Sequence, residues 1–187
     1  MSDPAHPRLS VEAFEQVLRQ RGHDRHIELI EGEIVEKMPN DEHGYLVGEL
    51  ARLLGNFLRQ YKLGRVSVEV RLTPTAPAFW GNSRLPDLAV LLGKRPVLPT
   101  ALQDPPDIAV EVQSPNESLD SLRDKADFYL GIGVREVWLV LPRQTRIERV
   151  TPQETVAYDV DEQLISPTLL PGFALPLREF FDYGAFL

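Results

Sequence analysis

Asp87, Glu111 and Lys125 are the residues of this chain whose types and spacing carry chemistry. Asp87 opens the apolar run PDLAVLL, and Glu111 stands in the middle of DIAVEVQ, between Val110 and Val112. A carboxylate is rarely buried without a partner, so a glutamate among β-branched neighbours demands one. Read as a strand of period 2, the second run sends Ala109, Glu111 and Gln113 to one face and Ile108, Val110 and Val112 to the other. If the two runs pair, Asp87 and Glu111 stand side by side with Cβ atoms about 5 Å apart. Two carboxylates that close repel, and a divalent cation relieves the conflict. Mg²⁺, or Mn²⁺ in its place, takes such oxygens at about 2.0–2.1 Å and keeps several waters. The remaining positions suit a phosphate oxygen and an attacking water.

The elements that must hold these residues follow from periodicity and punctuation. Ser10 is a good N-cap, and Phe14, Val17 and Leu18 recur at helical spacing, so a first helix is expected over Val11–Arg21. HIELIEGEIVEK (His26–Lys37) reads as two short strands around a Glu31-Gly32 turn. Asp41–Tyr61 is the clearest helix, with Leu46, Leu50, Leu53, Leu54, Phe57 and Leu58 on one stripe and Gly64 past its end. Gly48 and Gly55 interrupt it, and close packing on a sheet is the expected reason. Val66–Leu72 alternates strictly and predicts a half-buried strand. A Pro-rich loop with the pair Phe79-Trp80 follows; the two rings pack on their own protein, on a partner chain or on a base. Strands are expected over Leu85–Leu92, Asp107–Gln113 and the fully apolar Glu136–Leu141, with a helix over Leu119–Gly131 that carries Lys125. Ile147–Val150 and Thr155–Val160 predict a terminal hairpin, and Leu177–Tyr183 a last short helix. The fold class is therefore α+β, a mixed central sheet flanked by helices in one domain over residues 1–187.

Composition excludes several functions. The 187 residues are 43% hydrophobic and 26% charged, an ordinary globular balance with no cysteine, so disulfides, thiolate zinc sites and cysteine nucleophiles are absent. No Gly-rich phosphate loop and no supported Ser-His-Asp arrangement occurs, and His23 and His26 lack zinc-site spacing. No apolar run is long enough to span a bilayer, and MSDPAHPRLS lacks the apolar stretch of a secretory signal, so the cytoplasm is the default location. The formal net charge of −8 argues against a simple nucleic-acid binder. Residues 41–100, however, carry eight basic side chains against five acidic ones, enough for a local positive face.

Pro86-Asp87, a separation of 24 residues, then Glu111-Val112-x-Ser114-Pro115 resembles the PD-(D/E)xK restriction-endonuclease-like superfamily. Within it the chain is similar to the Uma2 (DUF820) family. Glu28-Leu29-Ile30-x-Gly32-Glu33, His43 at the start of the long helix, Lys125-x-x-x-Tyr129, Gly133-Val134-x-Glu136-x-Trp138 and Leu170-Pro171-Gly172 carry the likeness over nearly the whole chain. The resemblance implies a restriction-endonuclease-like core and a metal-dependent endonuclease acting on DNA, with Asp87, Glu111 and the Val112 carbonyl as ligands of Mg²⁺ or Mn²⁺. The superfamily's lysine two residues after the glutamate is here Gln113, so the resemblance moves that role to Lys125, which shares a helical face with Tyr129. Glu28 and His43 resemble auxiliary residues of the same cleft; Gln113 either points at the cleft or bonds a loop. A homodimer fits duplex cleavage, which takes two sites. The rival reading is a nucleic-acid-binding or regulatory protein that keeps the fold without turnover, and a third is a nuclease of RNA or nucleotides.

Overall fold

The computed structural model describes residues 8–22 and 26–183; the N-terminal MSDPAHP and His23 lie outside the described residues. Six strands form the central sheet in the order β3-β4-β5-β6-β7-β8: β3 (Gly64–Val68), β4 (Leu88–Leu92), β5 (Ile108–Val112), β6 (Glu136–Leu141), β7 (Arg146–Val150) and β8 (Thr155–Tyr158). Only β5 and β6 run parallel, and α3 (Leu119–Gly131) is the crossover between them. The other neighbours are antiparallel, so the sheet is mixed, as the order of elements predicts.

Each face of the sheet has its own helix. Leu46, Leu50, Leu54 and Leu58 of α2 (Asp41–Gln60) lie against Leu88, Val90, Ile108, Val110, Val112 and Trp138. These four leucines are fully buried, each worth about 1.5–3 kcal/mol of transfer free energy. On the opposite face Leu122, Ala126 and Tyr129 of α3 cover Ala89, Leu91, Ala109, Val137 and Leu139. Alternate residues of β4 and β5 thus feed two cores, and Glu111 shares the α3 side with Ala109. α3 has the expected bounds because Ser118 caps it, its side chain accepting from the Ser121 N–H.

A separate hairpin, β1 (Ile27–Ile30) and β2 (Glu33–Glu36), packs with α1 (Val11–Gln20) around Phe14, Leu18, Ile27 and Leu29. Its turn residues Glu31 and Gly32 both have positive φ (50° and 84°), the geometry of a tight two-residue hairpin. A Cβ on Gly32 would come within 2.6 Å of the Arg8 side chain, so glycine is required there on two counts. Leu29 bridges to Ser83, which docks the hairpin beside the segment leading into β4.

Four expectations need correction. β3 starts earlier than predicted and ends at Val68, because Glu69 takes φ 46° while its N–H donates to the Asp87 carbonyl. That kink breaks the alternation: Val66 packs toward α2, whereas Val70 and Leu72 pack toward α3. The helical glycines are not there for tight packing, since a Cβ at Gly48 would meet nothing within 4 Å and one at Gly55 only Val66 at 3.6 Å. The expected terminal hairpin is followed by another, β9 (Gln163–Ser166) and β10 (Leu170–Pro176), whose Leu164, Phe173 and Leu175 extend the α2-side core. The last helix, α4 (Leu177–Phe180), is shorter than predicted. Phe79 packs edge-on against Phe128 at 5.8 Å, while Trp80 is 57% exposed.

Candidate active site

The pairing of β4 with β5 sets Leu88 opposite Val110, which brings Asp87 and Glu111 to one end of neighbouring central strands. Both are deeply buried, at 2% and 1% exposure. Both reach one ammonium group: Lys37 Nζ lies 2.9 Å from Asp87 Oδ1 and 3.6 Å from Glu111 Oε2. The acids therefore converge as period 2 requires. They are not an unrelieved pair, because lysine already supplies a cation between them.

Every remaining oxygen has a donor. Asp87 Oδ2 accepts from the Val112 N–H at 2.7 Å and lies 3.1 Å from His43 Nε2. His43 reaches it from the first turn of α2, which Asn40 fixes by accepting the His43 N–H. Glu111 Oε1 accepts from the Tyr129 hydroxyl at 2.7 Å, and Oε2 from Lys125 at 3.1 Å. Lys125 also pairs with Glu117 Oε1 at 2.7 Å. Gln113 does not touch the acids; its Nε2 donates to the Glu117 carbonyl at 2.9 Å, and its buried Oε1 finds no partner among the described residues. Glu28 is 1% exposed and accepts from the Leu85 N–H, so it belongs to the buried site and not to a solvated edge strand.

Lys37 is the residue that sequence reasoning missed. The signal lay in the hairpin register: Glu28 pairs with Val35, so period 2 places Lys37 on the face of Glu28. All three line a cavity of about 240 Å³ with Asp87, Glu111 and Lys125.

The electrostatics are those of tightly paired buried ions. Burial pushes the Asp87 carboxyl up, but the Lys37 charge, the His43 contact and the Val112 N–H outweigh it and hold it below the usual carboxylate range. Burial pulls Lys37 down, and the charges of Glu111, Asp87 and Glu28 more than reverse that, leaving it above its ordinary value. Lys125 behaves the same way, with Glu111 the main opposing charge. Tyr129 is raised by burial and by Glu111, so its hydroxyl stays a proton donor. A lowered carboxylate stabilises the fold above its unfolded pKa and loses that contribution as pH falls toward the folded one. A raised lysine stabilises below its unfolded pKa and loses the contribution as pH rises through the folded one. Both contributions are therefore complete between about pH 5 and pH 9. The melting-temperature gap between the native chain and Asp87→Asn is expected to be constant above about pH 5 and to narrow below about pH 4. Calorimetry across that range checks it; a gap that already narrows from pH 8 to 6 contradicts the pairing.

Does the arrangement suit a divalent cation? Among the described residues no three His, Asp or Glu side chains form a ready metal cage. The donors around Lys37 Nζ are nonetheless all oxygens, the Leu85 carbonyl at 2.6 Å and the two carboxylates. Hard divalent ions are commonly held by one or two carboxylates, with water and substrate completing the shell. The four carboxylates Glu28, Asp87, Glu111 and Glu117 outnumber the two ammonium groups by two, so the site has charge to spare for such an ion. The donor set fits.

A six-stranded mixed sheet with helices on both faces is the architecture of the restriction-endonuclease-like class. The crystal structure titled as "a putative nuclease belonging to DUF820" from Anabaena variabilis ATCC 29413 shares this fold, with a TM-score of 0.73 at 22% identity over 83% of this chain and 89% of that one. The chain belongs to the Uma2 family, described as "Putative restriction endonuclease", whose model matches residues 11–178. No curated protein matches it significantly. No helix among the described residues is long and apolar enough to cross a membrane.

Proposed function

We propose that the protein is a metal-dependent nuclease that hydrolyses phosphodiester bonds of DNA. The observation that carries this reading is the convergence of Asp87 and Glu111, both buried, on one cation position in the lining of a cavity. Asp87, Glu111 and the Val112 carbonyl are the proposed holders of Mg²⁺ or Mn²⁺. That ion would supply Lewis-acid stabilisation of phosphate charge and a more acidic water.

The chain's own residues do the positioning. Tyr129 and Lys125 hold the two oxygens of Glu111 in one orientation, and His43 and the Val112 N–H do so for Asp87. Lys125, clamped between Glu111 and Glu117, offers a fixed positive charge to a phosphate in the cavity. Ser114, Asn116 and Ser121 line the same space and are suited to bond phosphate oxygens. Gln113 acts through Glu117, whose carbonyl it holds, and not on the reacting atoms. A homodimer would present the two sites that a double-strand cut takes.

Supercoiled plasmid is expected to be nicked or linearised with Mn²⁺ or Mg²⁺ and left intact with EDTA. Binding without cleavage at any metal concentration would instead favour a protein that keeps the fold and lacks turnover. Cleavage of RNA alone would reassign the substrate.

A further inference from the structure

We propose that Lys37 is a built-in counter-cation of the carboxylate pair, an ammonium group that withdraws when a divalent cation enters. This inference rests on the metal-site reading above and adds a moving part to it. Nζ sits among a main-chain carbonyl, Leu85 O at 2.6 Å, and two carboxylates, Asp87 Oδ1 at 2.9 Å and Glu111 Oε2 at 3.6 Å. The two carboxylates are the ones the proposed ion would take, so the ammonium competes with it for both. Two cations a few ångströms apart in a buried site repel strongly, and one must give way.

Lys37 is the one able to move. Its backbone is tied by the N–H bond to the His26 carbonyl at 2.6 Å, but its side chain spans the cavity wall and keeps 15% exposure. Rotation of its four-carbon stem would carry Nζ toward solvent while the backbone bond to His26 is kept. Lys125 has no such path, being held by Glu111 and Glu117 together from the body of α3. The exchange replaces one positive charge by two in a site with an excess of carboxylates, so it lowers the imbalance. Before it, the ammonium satisfies Asp87 and lets the fold form without metal. The cost is apparent metal affinity, because the incoming ion must displace an internal competitor.

Amine acetylation of the native chain, read by mass spectrometry at constant pH with and without Mn²⁺, tests the movement. Free Mn²⁺ is followed in the same samples by electron paramagnetic resonance. With Mn²⁺ bound, Lys37 labelling is expected to rise toward that of the exposed Lys62, while Lys125 stays protected. Bound Mn²⁺ with Lys37 labelling unchanged overturns the counter-cation. No bound Mn²⁺ at all removes the metal-site reading itself, and the inference with it. In a second arm Lys37→Met is expected to bind Mn²⁺ about tenfold more tightly or better. Equal or weaker affinity in a folded variant overturns the competition.

Discussion

Glutamine at position 111 is expected to cut plasmid cleavage by about 10²–10³-fold or more while leaving the chain folded. The amide keeps the shape of Glu111 and an oxygen to accept the Tyr129 hydroxyl. It withdraws one negative charge from the cation position, where Asp87 would be the carboxylate left in contact with Lys37. Lys125 retains Glu117 at 2.7 Å, so no ammonium is stranded and the fold loses little. Leucine at the same position is a different experiment. It leaves the buried Tyr129 hydroxyl without its acceptor and takes from both lysines a partner that no apolar side chain replaces. The charge loss is common to both variants, and the stranded buried hydroxyl adds about 1–3 kcal/mol, or roughly 2–12 °C in melting temperature for a chain of this size. Glu111→Gln and Glu111→Leu should thus share the loss of cleavage and differ sharply in Tm. Full activity in the glutamine variant would remove Glu111 from the chemistry, whatever its part in the fold.

The parts legible in the sequence were those set by local rules. α3 runs from Leu119 to Gly131 as expected, because the Ser118 cap and the following helical pattern are short-range signals. β6 follows from an unbroken apolar run, and the convergence of Asp87 with Glu111 from period 2 on two adjacent strands. What was illegible depends on tertiary contacts. Glu69 adopts positive φ because its N–H is drawn to the Asp87 carbonyl, and nothing in VSVEVRL announces that a non-glycine will turn there. β10 contains Pro171 and Gly172 at its irregular stretch, residues that read as a turn when considered locally. Lys37 was hidden by a different effect. HIELIEGEIVEK carries four glutamates and looks solvated, yet Glu28 accepts from the Leu85 N–H and Lys37 donates to Asp87, which draws both side chains out of solvent. A charged residue on a short hairpin is therefore informative once the polar groups its face meets in the neighbouring segment are known.

The second large effect belongs to the fold, and the two tryptophans of the chain isolate it. Trp138 lies in β6 between β5 and β7, opposite Val110 and Arg149, with no exposed surface. Its ring stacks on Phe173 of β10 at 5.9 Å, and its Nε1 donates to Glu136 Oε2 at 3.1 Å. Trp138→Ala empties the middle of the α2-side core and is expected to cost about 3–5 kcal/mol. Trp138→Phe keeps an aromatic face for Phe173 and gives up mainly the bond to Glu136, a loss of about 1–3 kcal/mol. Trp80→Ala removes an exposed ring and should stay within about 0.5 kcal/mol of the native chain. Denaturant unfolding followed by circular dichroism ranks the three. The order matters for the site as well, because Trp138 serves the α2 face whereas Glu111 bonds Lys125 and Tyr129 on the α3 face. Below its lowered melting temperature Trp138→Ala should therefore still pair Lys125 with Glu111. If Trp80→Ala proved the more damaging change, Trp80 and not Trp138 would be the ring the fold is built around.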